Sequence, residues 1–265
     1  MRLTSDDAVI FYEAMGDGPP VVLLHPYPAN HEIWLPVGEM LAQRYRVLLP
    51  DLRGHGASTP GQGPATMEKH ARDLLRLCED AGIGRAAFAG ISIGGYVLFE
   101  FWRRFRERVA ALALCCTRAQ ADSDEARANR MRSIEAVRSH GPEPLVESMI
   151  AKLLGASTLR DRPDLVERAR RMMRQMTVAG IAAVLEGMAA RPDSVPTLKT
   201  INVPTLLLHG EEDTLIPRAD AELMQQNIPG SALQMVARAG HYAVFEQAES
   251  AGKALRKFLD AQRWA

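Results

Sequence analysis

Apolar residues fall along this chain in two alternating patterns. PVVLLH (20–25), YRVLLP (45–50), AAFAGI (86–91) and VAALALCC (109–116) are short continuous runs, as expected of strands covered on both faces in a parallel sheet. Between the second and third, Met67, Ala71, Leu74, Leu75, Cys78 and Ala81 recur at helical spacing, and Gly82 and Gly84 supply the stop. This alternation predicts βαβ units and an α/β class for residues 1–117.

From residue 118 to residue 199 the strands vanish. Four amphipathic helical patterns follow one another, marked by Met131, Ile134 and Val137, by Leu145, Met149 and Leu153, by Leu165, Ala169, Met172 and Met176 after Pro163, and by Ile181, Val184, Leu185 and Met188. Gly141, Pro142, Gly155, Pro163 and Gly180 punctuate them. The methionines suit either an adaptable apolar surface or ordinary helix packing, with packing the better expectation. From residue 200 to residue 265 the earlier alternation resumes, with TLLLHG (205–210), a helix near 219–227, a strand near 232–236 and a closing helix with Leu255, Phe258 and Leu259 on one face. A helical block set into a βα alternation reads as a cap over one edge of a sheet.

Charge narrows the possible partners. Lys plus Arg and Asp plus Glu both total 32, so nothing draws the chain toward nucleic acid or an anionic membrane. A small, uncharged ligand is the expectation. No stretch approaches the roughly 18 apolar residues that a membrane helix needs, and the first residues, with Asp6 and Asp7, do not read as a secretory signal. Cys78, Cys115 and Cys116 cannot form a paired framework and read as reduced packing residues in the cytoplasm.

Candidate chemistry begins at Gly90-Ile91-Ser92-Ile93-Gly94, a G-x-S-x-G motif between an apolar strand and a helical pattern. A serine there stands on a tight turn with no room for β-carbons on its neighbours, and the helix behind it aims amide N–H groups at a forming oxyanion. The competing reading is a serine that merely caps the helix. A serine hydroxyl needs a base to take its proton and an acid to orient that base. The order Ser…Asp…His places the acid after a late strand and the histidine near the end. Asp213 follows the strand 205–208, with Glu211 and Glu212 as neighbouring alternatives, and His241 follows the next strand. His25 and His209 read as hydrogen bonders behind the site; His55 lies in an RGHG turn, and His31, His70 and His140 read as packed or solvated. Oxyanion donors are expected at the backbone N–H groups of Ile93 and Tyr27, since Pro26 has none to give. No His, Cys and carboxylate set has the spacing of metal ligands, so no metal is expected.

LLHPYP (23–28), PDLRGHGAS (50–58), GISIGGY (90–96), HGEEDTLIP (209–217) and AGHYAVFEQ (239–247) together resemble the α/β-hydrolase superfamily across nearly the whole chain. SIGGYVLFEFWRRFRERVAALALCCTRAQADS with GMAARPDS (187–194) is similar to bacterial carboxylesterases related to 3-oxoadipate enol-lactonases. The resemblance implies an eight-stranded, mostly parallel sheet with helices on both faces, an inserted helical cap and no cofactor. It also implies hydrolysis of small esters or lactones through Ser92, Asp213 and His241, with Tyr27 and Ile93 as oxyanion donors. His25-Pro26 stands where the family usually has His-Gly.

Trp34, Tyr27, Tyr96, Tyr242 and the methionine-rich helices are candidates to line an apolar acyl or alcohol pocket, which favours small uncharged esters. An anionic lactone would instead want arginines there, and Arg118, Arg130 and Arg191 are the candidates. A perhydrolase would use the same three catalytic residues. A dehalogenase would need an aspartate at 92, and a ligand-binding receptor on the same fold would not turn over.

Overall fold

A run with no polar face is satisfied only where both sides are covered, and the predicted runs form the middle of one sheet. The computed structural model describes residues 1–262. Its strands are β1 (Arg2–Ser5), β2 (Ala8–Met15), β3 (Pro20–Leu24), β4 (Arg46–Pro50), β5 (Ala86–Ile91), β6 (Val109–Cys115), β7 (Thr205–Gly210) and β8 (Ala232–Val236). They pair in the order β1-β2-β4-β3-β5-β6-β7-β8. The β1/β2 and β2/β4 pairs are antiparallel and all others parallel. The hairpin β1–β2 was not predicted by the apolar runs. Only Ala8, Ile10 and Tyr12 of β2 turn fully inward, an alternating pattern too short to stand out.

The helices are α1 (Leu35–Leu41), α2 (Met67–Asp80), α3 (Ile93–Phe105), α4 (Asp124–His140), α5 (Glu143–Leu153) and α6 (Ala156–Asp161). They continue as α7 (Pro163–Met173), α8 (Val178–Ala189), α9 (Val195–Leu198), α10 (Arg218–Asn227), α11 (Ala243–Glu246) and α12 (Ala248–Asp260). Successive strand residues face opposite sides. Val22, Leu24, Phe88 and Leu112 pack with α2 and α3 residues such as Leu74 and Val97, while Val21, Leu23, Ala87 and Ala89 pack with Val37 of α1 and Leu255 of α12. Helices thus cover both faces of the eight-stranded, mostly parallel sheet.

Helices α4–α9 lie between β6 and β7. The insertion holds one helix more than its four apolar patterns predict before α9, because α6 occupies the turn between Gly155 and Pro163. Met131 was expected on the inner face of α4 but is exposed, and the buried residues of that helix are Ile134 and Val137. Met172, Met173, Met176 and Met188 are buried, as packing requires. No helix among the described residues is long and apolar enough to cross a membrane.

The register lines up what the site needs. Leu24 pairs with Gly90, Ile91 with Cys115, and Cys115 with Leu208. Residues 25–27, 92–93 and 116–118 therefore leave the sheet side by side at its carboxyl edge, where open α/β sheets bind ligands.

Candidate active site

Ser92 joins β5 to α3 with φ 52° and ψ −113°, a left-handed backbone that a non-glycine residue adopts at a cost of about 1–3 kcal/mol. The glycines around it allow the turn to close. A β-carbon on Gly90 would stand 2.5 Å from the Gly94 carbonyl carbon, and one on Gly94 would stand 2.7 Å from the Leu24 oxygen. Thr117 Oγ1 donates to the Ser92 carbonyl at 2.7 Å and fixes the turn from β6. The Ser92 side chain makes no capping hydrogen bond to α3, so the helix-cap reading does not describe it.

His241 and Asp213 meet. The His241 Nδ1 donates to Asp213 Oδ2 at 2.9 Å, with both side chains fully buried. The other Asp213 oxygen accepts the Leu215 and Ile216 N–H groups at 2.9 and 3.0 Å. Burial alone would raise the Asp213 carboxyl, but the charge and hydrogen bond of His241 and the Ile216 amide outweigh it and hold the carboxyl below its ordinary value. With Nδ1 engaged, Nε2 is the imidazole nitrogen available to a proton, and it has no partner among the described residues. Of the alternative acids, Glu211 is exposed and Glu212 accepts from Ser157, so neither reaches His241.

The loop after β3 is braced from beneath. Leu52 N–H donates to His25 Nε2 at 2.8 Å, which leaves the Nδ1 proton for the Pro26 carbonyl at 2.9 Å. Burial pushes His25 down to about 4, so the ring is neutral near pH 7. His25 packs edge-on against His55 at 4.8 Å, and His55 packs against Tyr27 at 5.9 Å. The Tyr27–Pro28 peptide is cis. Ile93, first residue of α3, carries one of the helix N–H groups that has no acceptor within the helix.

Above Ser92 opens a cavity of about 310 Å³. Its floor is Tyr27, Ser92, Tyr96 and Ile216, and α4 and α5 of the insertion turn Asn129, Arg130, Met149 and Lys152 into it. Arg118 also lines it, and no carboxylate does among the described residues. Arg118, Arg130 and Arg191 all bind one buried carboxylate, Asp122, at 3.2, 2.5 and 2.6 Å. Burial would raise that carboxyl, but Arg130 and Arg191 hold it below its ordinary value. Three guanidiniums on one carboxylate leave the cluster net positive. Arg191 lies over the Tyr96 ring at 4.2 Å and is itself buried, so it holds Tyr96 in place and does not line the cavity.

Two expected pocket residues are elsewhere. Trp34 and Tyr242 are wholly buried in the core between α1 and α11, and neither lines the cavity, because the turns that carry them run on into those helices and point the rings inward. Tyr27 and Tyr96 do line it. Sequence reasoning missed Asn129, Lys152 and Asp122, since nothing local marks which face of an inserted helix meets the site. Cys78, Cys115 and Cys116 are buried and unpaired among the described residues, and burial pushes the Cys78 thiol up to about 12 and the other two higher still. None is set up as a nucleophile. Cys116, His209 and Asp213 bring ligand atoms within 4.8 Å of one another, but both Asp213 oxygens are already engaged by His241, Leu215 and Ile216.

Known proteins share this architecture. 3-Oxoadipate enol-lactonase 2 of Acinetobacter baylyi is 27% identical over 263 residues, 97% of this chain and 95% of that protein. The structure of a thermophilic esterase from Thermogutta terrifontis with malate bound superposes with a TM-score of 0.95 at 40% identity, covering 98% of this chain and 97% of that one. The enol-lactonase from Burkholderia xenovorans superposes at 0.92 with 27% identity, covering 98% of this chain and all (100%) of that one. The family described as alpha/beta hydrolase fold matches residues 19–248, and the chain belongs to that family.

Proposed function

We propose that this chain is a carboxylic ester hydrolase that works through an acyl-enzyme on Ser92. The observation that carries the reading is the His241–Asp213 hydrogen bond of 2.9 Å at the sheet edge where Ser92 stands on its strained turn below a cavity. His241 Nε2 takes the serine proton as Oγ attacks the ester carbonyl, and Asp213 stabilises the imidazolium that forms. The oxyanion accepts from the N–H groups of Tyr27 and Ile93. His241 returns the proton to the leaving alcohol, and a water activated by the same base releases the acid. No cofactor enters these steps. Residues 118–199 serve as the cap, flanked by core segments 1–117 and 200–265, and the buried reduced thiols suit the cytoplasm.

Ser92→Ala is expected to lower kcat for a p-nitrophenyl ester by on the order of a million-fold, the scale of losing a triad serine. A fluorophosphonate probe should label the wild type and not the variant. Turnover retained by Ser92→Ala overturns the assignment, and a wild type that takes no label points to a non-catalytic binder.

A second reading concerns substrate charge. The balanced composition suggests uncharged esters, but a cavity lined by Arg118, Arg130 and Lys152, with no carboxylate among the described residues, favours an ester or lactone that itself carries a carboxylate. The relatives named enol-lactonases and the dicarboxylate malate in the Thermogutta terrifontis esterase support it.

A further inference from the structure

Three segments meet behind His241 and Asp213: the loop after β7, the loop after β8, and residues 153–158 of the insertion. Two carboxylates join them. Glu246 of α11 is 4% exposed, and it accepts the Gly155 N–H at 2.7 Å and the Gly240 N–H at 2.9 Å. Gly240 immediately precedes His241. Glu212, immediately before Asp213, accepts the Ser157 N–H at 2.7 Å and the Ser157 hydroxyl at 2.5 Å.

Backbone contacts complete the junction. Tyr242 N–H, just after His241, donates to the Leu153 carbonyl at 3.1 Å, and Glu212 N–H donates to Ala239 at 2.8 Å. There is no slack between the segments. A β-carbon on Gly155 would lie 2.7 Å from the Gly240 nitrogen, and one on Gly240 would lie 2.4 Å from the Gly155 nitrogen. None of these residues lines the cavity, so substrate contact does not account for them. A buried carboxylate is costly unless hydrogen-bonded. Here its bonds are divided between the residue before the base and the insertion.

We propose that Glu246 is a positioning residue: it ties the His241 loop to residues 153–158 and so keeps the imidazole in register with Ser92, while Glu212 ties Asp213 to the same segment. The insertion is then part of the catalytic apparatus as well as a cover, because a shift of residues 153–158 moves base and acid together. This rests on His241 acting as the base.

The test measures Glu246→Gln, Gly155→Ala, Ser157→Ala and Ser92→Ala side by side with p-nitrophenyl acetate, counting active sites by fluorophosphonate titration. A glutamine replaces one accepting oxygen with a donor facing an N–H, and the Gly155 β-carbon pushes on Gly240 from the insertion side. Misplacement by about 1 Å can cost on the order of a hundred-fold, so Glu246→Gln and Gly155→Ala should each lower kcat per titrated site by at least ~10-fold. KM should stay within about twofold, and labelling of Ser92 should slow in proportion. Ser157→Ala, which removes only a hydroxyl, should fold normally and show a smaller loss of the same kind. A residue that merely stabilised the fold would lower the number of titratable sites and leave kcat per site alone. That result, or unchanged kcat per site in Ser157→Ala if the other two do not fold, overturns the proposal while an inactive Ser92→Ala leaves the hydrolase reading standing. An active Ser92→Ala removes both.

Discussion

His31 shows how one side chain gives this fold a pH dependence near neutrality. Burial alone would lower its pKa, but the hydrogen bond to Asp51 at 2.7 Å and the charges of Asp51, Glu13 and Glu32 outweigh it, so the value lies above the ordinary 6.5. A folded value raised above the unfolded one adds stability that is fully present below 6.5 and fades as pH rises through the folded value. His31→Asn should therefore lower Tm most on the acid side of 6.5, by the few degrees that a hydrogen bond to a charged group of about 1.5–3 kcal/mol represents, and least well above it. Equal losses at both ends of a Tm-against-pH series would refute this assignment. His31 reads from sequence as packed or solvated, and its partner Asp51 lies one strand away, so the pair exists only once β4 is in place. Ser92 is the opposite case: the glycines that permit its strained turn are its own neighbours in the chain.

Among the elements, α8 is placed by backbone contact as much as by apolar packing. Ala65 N–H donates to the Ala183 carbonyl at 2.9 Å, and a β-carbon on Gly187 would come within 1.8 Å of the Ala65 oxygen. Neither partner is a flexible side chain, so the helix must move. Gly187→Ala should destabilise by about 1–3 kcal/mol, the scale of overpacking, even though alanine gains about 1 kcal/mol in helix propensity. Gly84→Ala has open space around its β-carbon and should be near neutral. The comparison is read from urea midpoints at equal m-value, and indistinguishable midpoints would show that α8 does not bear on this contact. Helical periodicity predicts α8 and its inward Ile181, Val184, Leu185 and Met188. It does not say that Gly187 abuts the segment ahead of α2, because that contact depends on how the insertion lies on the core.

At the scale of the whole molecule, a formal charge of zero conceals local imbalance. Arg118, Arg130 and Lys152 line the cavity, which no carboxylate does among the described residues, and Asp122 offers one negative charge to Arg118, Arg130 and Arg191 together. Opposite charges attract across a cleft until salt screens them, with a Debye length of about 10 Å at 0.1 M. KM for a carboxylate-bearing ester should thus rise with ionic strength and rise again in Arg130→Gln, while KM for a neutral ester of similar size stays flat. If both esters respond alike, the charged-substrate reading fails. The sequence by itself determined the α/β alternation, the parallel strands from Pro20 onward, the helical insertion and the candidacy of Ser92, Asp213 and His241. Each of these is written in neighbouring residues, as a period, a turn or a short motif. Only the tertiary structure decided that Trp34 and Tyr242 pack in the core, that three arginines converge on Asp122, and that Glu246 and Glu212 bolt the insertion to the loops of His241 and Asp213. Those outcomes depend on the rotation and docking of elements far apart in the chain, which local spacing does not encode.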